Sequence, residues 1–167
     1  MIFYNKISLV VATLGREHPL DVFLESISLQ TYPKEKIEII IVDQNRDIDI
    51  TGIVNKYTNV LNVNHIKSNV LGLSVNRNIG IAACTGDIVA FPDDDCSYPV
   101  DTLSKVNAIM QHVNVDFILG RIWDNKLNKN AFRNWPRQNK VINKINFYRL
   151  TSSITLFSRD VEMTFDE

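Results

Sequence analysis

Ile37-Glu38-Ile39-Ile40-Ile41-Val42 is a short run of mostly β-branched residues, closed by Asp43. Such a run reads as a central strand buried on both faces, the habit of parallel sheets. The reading extends outward in both directions. Lys6 to Ala12 (KISLVVA) is a second buried strand, and Val60 to Lys67 is a less apolar one suited to a sheet edge. Asp87 to Phe91 (DIVAF) gives a fourth strand and Asp116 to Trp123 a fifth. Helical periodicity fills the gaps. Pro19 suits a first turn, and Leu20, Phe23, Leu24 and Ile27 recur at i, i+3, i+4 and i+7, with the helix ending near Tyr32-Pro33. Asp47 to Tyr57 is a weaker helix interrupted by Gly52, and Gly72 to Cys84 is another, with Gly86 as its stop. Ser97 caps a helix opening at Pro99, with Val100, Leu103, Val106 and Met110 on its inner face. Strands alternating with helices predict an α/β fold: a Rossmann-like, mostly parallel central sheet with helices on both faces.

After Asp124 the pattern loosens. Asn and Lys dominate to Lys144, with Pro136 between, which predicts a long loop; Thr151 to Ser158 (TSSITLFS) alternates as a returning strand. Phe165-Asp166-Glu167 closes the sequence without an element that looks finished, so a truncated second part is expected. The division predicted is 1–120 as one subdomain and 121–167 as the start of another. With 167 residues, 45% hydrophobic and 22% charged, the chain has the composition of a globular domain. A chain of this size buries roughly two thirds of its unfolded surface. No stretch approaches the ~20 apolar residues of a membrane span. Met1 to Lys6 lacks a basic region followed by a cleavage site, so a cytoplasmic protein is expected. Cys84 and Cys96 have no CxxC spacing, and His18, His65 and His112 no metal-ligand spacing. The net charge of −1 hides eight Lys or Arg residues against one acid between Arg121 and Arg149. Trp123, Phe132, Trp135 and Tyr148 lie among them. That stretch is a solvated surface or a peripheral contact with anionic lipid at the inner face of a membrane; no nucleic-acid partner is expected.

In an open α/β sheet, ligands bind at the carboxyl ends of the strands. Three polar clusters fall there: Thr13-Leu14-Gly15-Arg16, Asp43-Gln44-Asn45 and Asp93-Asp94-Asp95. Three adjacent carboxylates repel one another, so one holds its proton tightly unless a cation intervenes. Oxygen-only ligands select Mg²⁺ or Mn²⁺ over zinc. Alternation at a strand end would bring Asp93 and Asp95 together and turn Asp94 aside. A cation there can bridge a diphosphate, and Arg16 and Arg77 are the cationic side chains to join it. Asp43 either accepts the N–H of a nucleobase such as uracil or bonds its own backbone in a turn. No G-x-G-x-x-G opens the first helix and no P-loop motif occurs, which argues against a dinucleotide site and excludes a P-loop.

Leu9-Val10-Val11-Ala12-Thr13, Ile39-Ile40-Ile41-Val42-Asp43, Asn76-Arg77-Asn78-Ile79-Gly80 and Phe91-Pro92-Asp93-Asp94-Asp95-Cys96-Ser97-Tyr98-Pro99 together resemble the family 2 glycosyltransferases of the GT-A fold. The resemblance covers roughly residues 6 to 120. It implies that Thr13, Leu14 and Arg16 line the nucleotide and that Asp43 meets the base. Arg77 would face the diphosphate or sugar, Asp93 and Asp94 would lie in the donor site, and Asp95 with Asp93 would hold the metal. The activity implied is inverting transfer of a sugar from a nucleotide donor, with a UDP-sugar favoured, to a hydroxyl of a glycan or lipid-linked acceptor in cell-surface polysaccharide or other glycan synthesis. Residues 1–120 would be the donor-binding part and 121–167 the start of the acceptor region. Inversion requires a general base, which the resemblance sets in an acidic pair downstream of a Phe-Asp-Glu stretch, hence beyond Glu167. The alternative is a nucleotide-sugar-binding module that lacks this base and does not turn over. A nucleotidyltransferase would carry more glycine after strand one, and a haloacid-type phosphatase would carry its Asp pair there.

Overall fold

The computed structural model describes residues 3–131, 140–142, 156–159 and 163–166. Strand β1 (Ile7–Thr13) leads to helix α1 (Glu17–Ser28), β2 (Ile37–Asp43), α2 (Thr51–Tyr57) and β3 (Asn62–Lys67). Helix α3 (Leu73–Ile81), β4 (Ile88–Ala90), α4 (Thr102–His112) and β5 (Phe117–Leu119) follow. A small ladder of β6 (Trp123–Asp124) and β7 (Lys129–Asn130) precedes β8 (Leu156–Ser158). The main sheet has the order β3-β2-β1-β4-β8-β5. Strands β1 to β4 are parallel, and β8 runs antiparallel between β4 and β5. This is the expected α/β fold with a mostly parallel sheet.

Every residue of β2 is buried, and alternation divides its side chains between two apolar layers. Ile37, Ile39 and Ile41 join Leu9, Val11, Phe23, Leu24, Leu103 and Met110 on one face, under α1 and α4. Ile40, Val42, Val10, Val89 and Phe91 lie on the other face with Ile79 and Ile81 of α3. Gly80 lets α3 come this close, because a Cβ there would overlap the Val10 side chain and press on Val42. Glu38 interrupts the apolar run yet is buried. Its carboxylate accepts Ser8 Oγ (2.6 Å), Thr85 N (2.9 Å), Thr85 Oγ1 (2.7 Å) and Lys6 Nζ (3.1 Å). Burial pushes this carboxyl up, but those bonds outweigh it and hold the acid below the usual range.

Several boundaries differ from the sequence expectation. Helix α1 ends at Ser28 rather than near Tyr32-Pro33, and α2 starts at Thr51 rather than Asp47. The last helix starts at Thr102 rather than Pro99, and Ser97 does not cap it. Residues 98 to 100 are instead tied to the end of α1: Tyr98 N donates to Ser26 Oγ, Gln30 Nε2 to Pro99 O, and Thr31 N to Val100 O. Backbone committed to those bonds is not free to wind, and Val100 is exposed while Leu103, Val106 and Met110 are buried. The fifth strand is confined to Phe117–Leu119. Within the expected loop after Asp124, β6 and β7 pair instead. Asp124 Oδ1 accepts the N–H of Lys126 and Leu127, and Asn128 takes φ 48°, a conformation asparagine tolerates. Of the returning strand, 156–158 is β8; residues 151–155, and most of the basic stretch (132–139 and 143–149), lie outside the described residues. No helix among the described residues is long and apolar enough to cross a membrane.

Candidate functional site

The chain builds β1, β2 and β3 in one direction, then returns past β1 to lay down β4. The crevice between the carboxyl ends of β1 and β4 is therefore the topological switch point, where open α/β sheets bind ligands. Thr13 ends β1, and the three aspartates occupy the turn after β4. They meet across the crevice: Thr13 Oγ1 donates to Asp94 Oδ2 at 2.6 Å, in a buried bond. Arg16 Nη1 donates to Asp94 Oδ1 at 3.1 Å and also to Asp95. Arg77 Nη2 donates to Asp93 Oδ1 at 3.1 Å from α3. Leu14 is exposed between Thr13 and Gly15.

Alternation does not govern the triplet, because β4 ends at Ala90. Asp94 turns inward to Thr13 rather than aside, and Asp95 shares Arg16 with it while Asp93 pairs with Arg77. Burial, more than the attraction of Arg77 can offset, pushes the Asp93 carboxyl up, and repulsion from Asp95 and Asp94 adds to it. Burial pushes Arg77 down while Asp93 pulls it back up. Asp94 and then Asp95 raise Arg16.

One strand away, Thr13, Asp43 and Lys67 stand in one row across β1, β2 and β3. Asp43 is buried with both oxygens engaged. Oδ1 accepts Asn45 N and Nδ2, each at 2.8 Å, and Oδ2 meets His65 Nε2 and Lys67 Nζ, each at 3.0 Å. Burial pushes this acid up, but the bonds from Asn45, Lys67 and His65 win and hold it low. Asn45 Oδ1 accepts Gly15 N at 2.6 Å, and Gln44 Oε1 accepts Gly72 N at 2.9 Å, so the loop after β2 orders the loops on either side.

The clusters after β1 and β4 that the sequence singled out meet at the crevice, and Gln44 and Asn45 lie in the third; His65 and Lys67, which complete the Asp43 contacts, were not singled out. His65 and Lys67 share a face of β3, a period-two signal, but matching them to Asp43 required the register between strands. Cys84 and Cys96 are free, and burial pushes each thiol up to about 11, leaving both protonated at neutral pH.

A divalent cation fits the aspartate turn in one way. The Asp95 side chain is 49% exposed and Asp93 31% exposed, whereas Asp94 is enclosed. Among the described residues no group of three or more His, Cys, Asp or Glu side chains could cage a metal unaided. A hard cation held by one or two carboxylates, with substrate phosphates completing its shell, suits this donor set; an all-protein cage does not.

The chain matches the model of glycosyl transferase family 2 over residues 8–164. It is 30% identical over 116 residues to the poly(ribitol-phosphate) beta-N-acetylglucosaminyltransferase TarS of Staphylococcus aureus, an alignment spanning 68% of this chain and 20% of TarS. The crystal structure of a S. aureus TarS fragment in complex with UDP-GlcNAc superposes with a TM-score of 0.79 at 25% identity, covering 96% of this chain and 48% of that one. The mannosyltransferase PcManGT of Pyrobaculum calidifontis, solved in complex with GDP-Man and Mn²⁺, shares the fold, with a TM-score of 0.65 at 21% identity over 73% of this chain and 36% of that one. The chain thus spans about a fifth of the length of TarS and about half of the solved TarS fragment.

Proposed function

The chain belongs to glycosyl transferase family 2, and from that premise we propose that the β1–β4 crevice binds a nucleotide-sugar whose sugar is transferred to an acceptor hydroxyl. The observation that carries the reading is the convergence of Thr13, Arg16, Arg77 and the three aspartates at the switch point. Asp43 accepts an N–H of the base, and Thr13, Leu14 and Arg16 line the nucleotide. Arg77 offers its guanidinium to the diphosphate, where a planar fork binds phosphate oxygens well. Asp95, with Asp93, holds Mn²⁺ or Mg²⁺, which neutralises the charge growing on the nucleoside diphosphate as it leaves. Arg16 releases Asp95 for that role and turns to the phosphates.

A UDP-sugar is favoured because the TarS fragment was solved with UDP-GlcNAc. TarS acts on poly(ribitol-phosphate), which favours a cell-surface glycan or a lipid-linked chain as acceptor. In this reading residues 1–120 bind the donor and 121–167 begin the acceptor region. The reaction is cytoplasmic, and the basic 121–149 stretch is the part that would meet anionic lipid at the membrane's inner face. The base that takes the acceptor's proton in an inverting displacement is assigned to the acceptor part.

Calorimetric titration of UDP with Mn²⁺, and again with EDTA, tests the reading beside Asp95→Ala. UDP binds with metal, weakens at least tenfold with EDTA, and loses its metal dependence in the variant. At ~100 times its dissociation constant UDP adds ~2.7 kcal/mol of stability, visible as a thermal shift. If UDP, GDP, CDP and dTDP all fail to bind with metal present, the donor-site reading is wrong.

A further inference from the structure

Beside the aspartate turn, a segment from the far end of the chain lies over Arg77. Residues 163–166 belong to no helix or strand, yet Met163 and Phe165 pack on the α3 face of the core while Thr164 and Asp166 are exposed. One side chain meets the backbone of Phe165 with both ends of its amide. Asn78 Oδ1 accepts Phe165 N at 2.7 Å, and Asn78 Nδ2 donates to Phe165 O at 2.9 Å. The amide thus acts as a strand neighbour would, pairing both backbone groups of one residue 87 positions away.

What this clamp holds is the Phe165 ring. The ring stands edge-on to Phe91, with centroids 4.9 Å apart at 86°, and the Arg77 Cζ lies 5.2 Å from its centre. Arg77 therefore meets both an aromatic face and the Asp93 carboxylate. A guanidinium that is 6% exposed has given up most of its hydration, and its direction depends on what replaces that water. With its backbone held at both N and O, Phe165 keeps little backbone freedom, and its ring is left only its own side-chain torsions.

We propose that Asn78 is a positioning residue of the donor site: by holding the Phe165 backbone it seats the ring on Arg77 and aims the guanidinium at Asp93 and the diphosphate. This inference rests on the donor-site reading above. Asn78 touches neither base nor phosphate; it acts through Phe165 and Arg77.

The test compares UDP with uridine, both titrated with Mn²⁺ present, for the wild-type chain, Asn78→Ala, Asn78→Asp and Phe165→Leu. Uridine reports on the base site and UDP adds the phosphates. In Asn78→Ala, UDP binding weakens about tenfold while uridine binding is unchanged, the size of a partly desolvated cation–π contact expressed as affinity. Asn78→Asp retains the acceptor for Phe165 N but opposes Phe165 O, and falls between. Phe165→Leu leaves the clamp and removes the ring, so it reproduces the Asn78→Ala loss even if that variant does not fold. A second readout needs no ligand. Ring-current shifts of the Arg77 side chain, measured by NMR, collapse in Asn78→Ala and Phe165→Leu. Equal loss of UDP and uridine binding, unchanged UDP binding, or Arg77 shifts that persist in both variants would overturn the proposal. Wild-type chain that binds no nucleoside diphosphate sinks the donor reading and this inference together, whereas wild-type binding with unaffected variants sinks this inference alone.

Discussion

Asp43 commits both carboxylate oxygens to Asn45, His65 and Lys67, so its carboxylate is held in one orientation, and in the proposed donor site that orientation is set before a base arrives. Of its partners the Lys67 side chain is the most exposed, at 51%, and is the one an incoming N–H would displace. Replacing Asp43 by Asn leaves a carbonyl to accept one bond but removes the charge that strengthens it. A hydrogen bond to a charged group contributes about 1.5–3 kcal/mol. Asp43→Asn therefore weakens UDP binding roughly 10- to 100-fold while its metal dependence persists, which titration with Mn²⁺ and EDTA reads directly. The Asp43 and Asp93–Asp95 clusters stood out in the sequence because each follows a strand. Their partners did not: His65 and Lys67 reach Asp43 from 22 and 24 positions away, across a strand register that the local pattern does not give.

At the scale of elements, α3 carries both Arg77 and Asn78, and its distance from the sheet sets where they reach. Gly80 fixes that distance, because a methyl group there overlaps Val10 on β1 and approaches Val42 on β2 at 3.2 Å. An isolated exposed helix gains from Gly→Ala, but overpacking a well-filled interface costs typically 1–3 kcal/mol. Gly80→Ala is thus expected to be destabilising by about that amount. Urea unfolding checks it: the midpoint falls with an unchanged slope. The sequence marked α3 and its approximate span from periodicity. It placed the start of α4 at Pro99, because local cap and proline rules cannot anticipate the bonds from Ser26, Gln30 and Thr31 that hold residues 98 to 100.

Across the whole molecule, β2 carries a charged anchor near each end: Glu38 among Lys6, Ser8 and Thr85, and Asp43 at the site. Both acids are held below the ordinary carboxylate range. The unfolded chain, with carboxyls near ~4, then binds more protons than the native one as the medium is acidified. The stability these groups contribute is fully present above that value and is lost as pH falls through their native values. Thermal unfolding from pH 7 to 3 should show a falling midpoint, and Glu38→Gln should start lower and decline less steeply. By itself the sequence determined the α/β class, the parallel core and which strand ends carry polar clusters, because periodicity and strand-end position are local properties. Only the tertiary structure decided which partners complete those clusters: β8 between β4 and β5, Asp94 turned to Thr13, His65 and Lys67 on Asp43, and Phe165 over Arg77. Those pairings depend on strand register, crossover and chain return, which bring together residues whose separation along the chain holds no trace of their meeting.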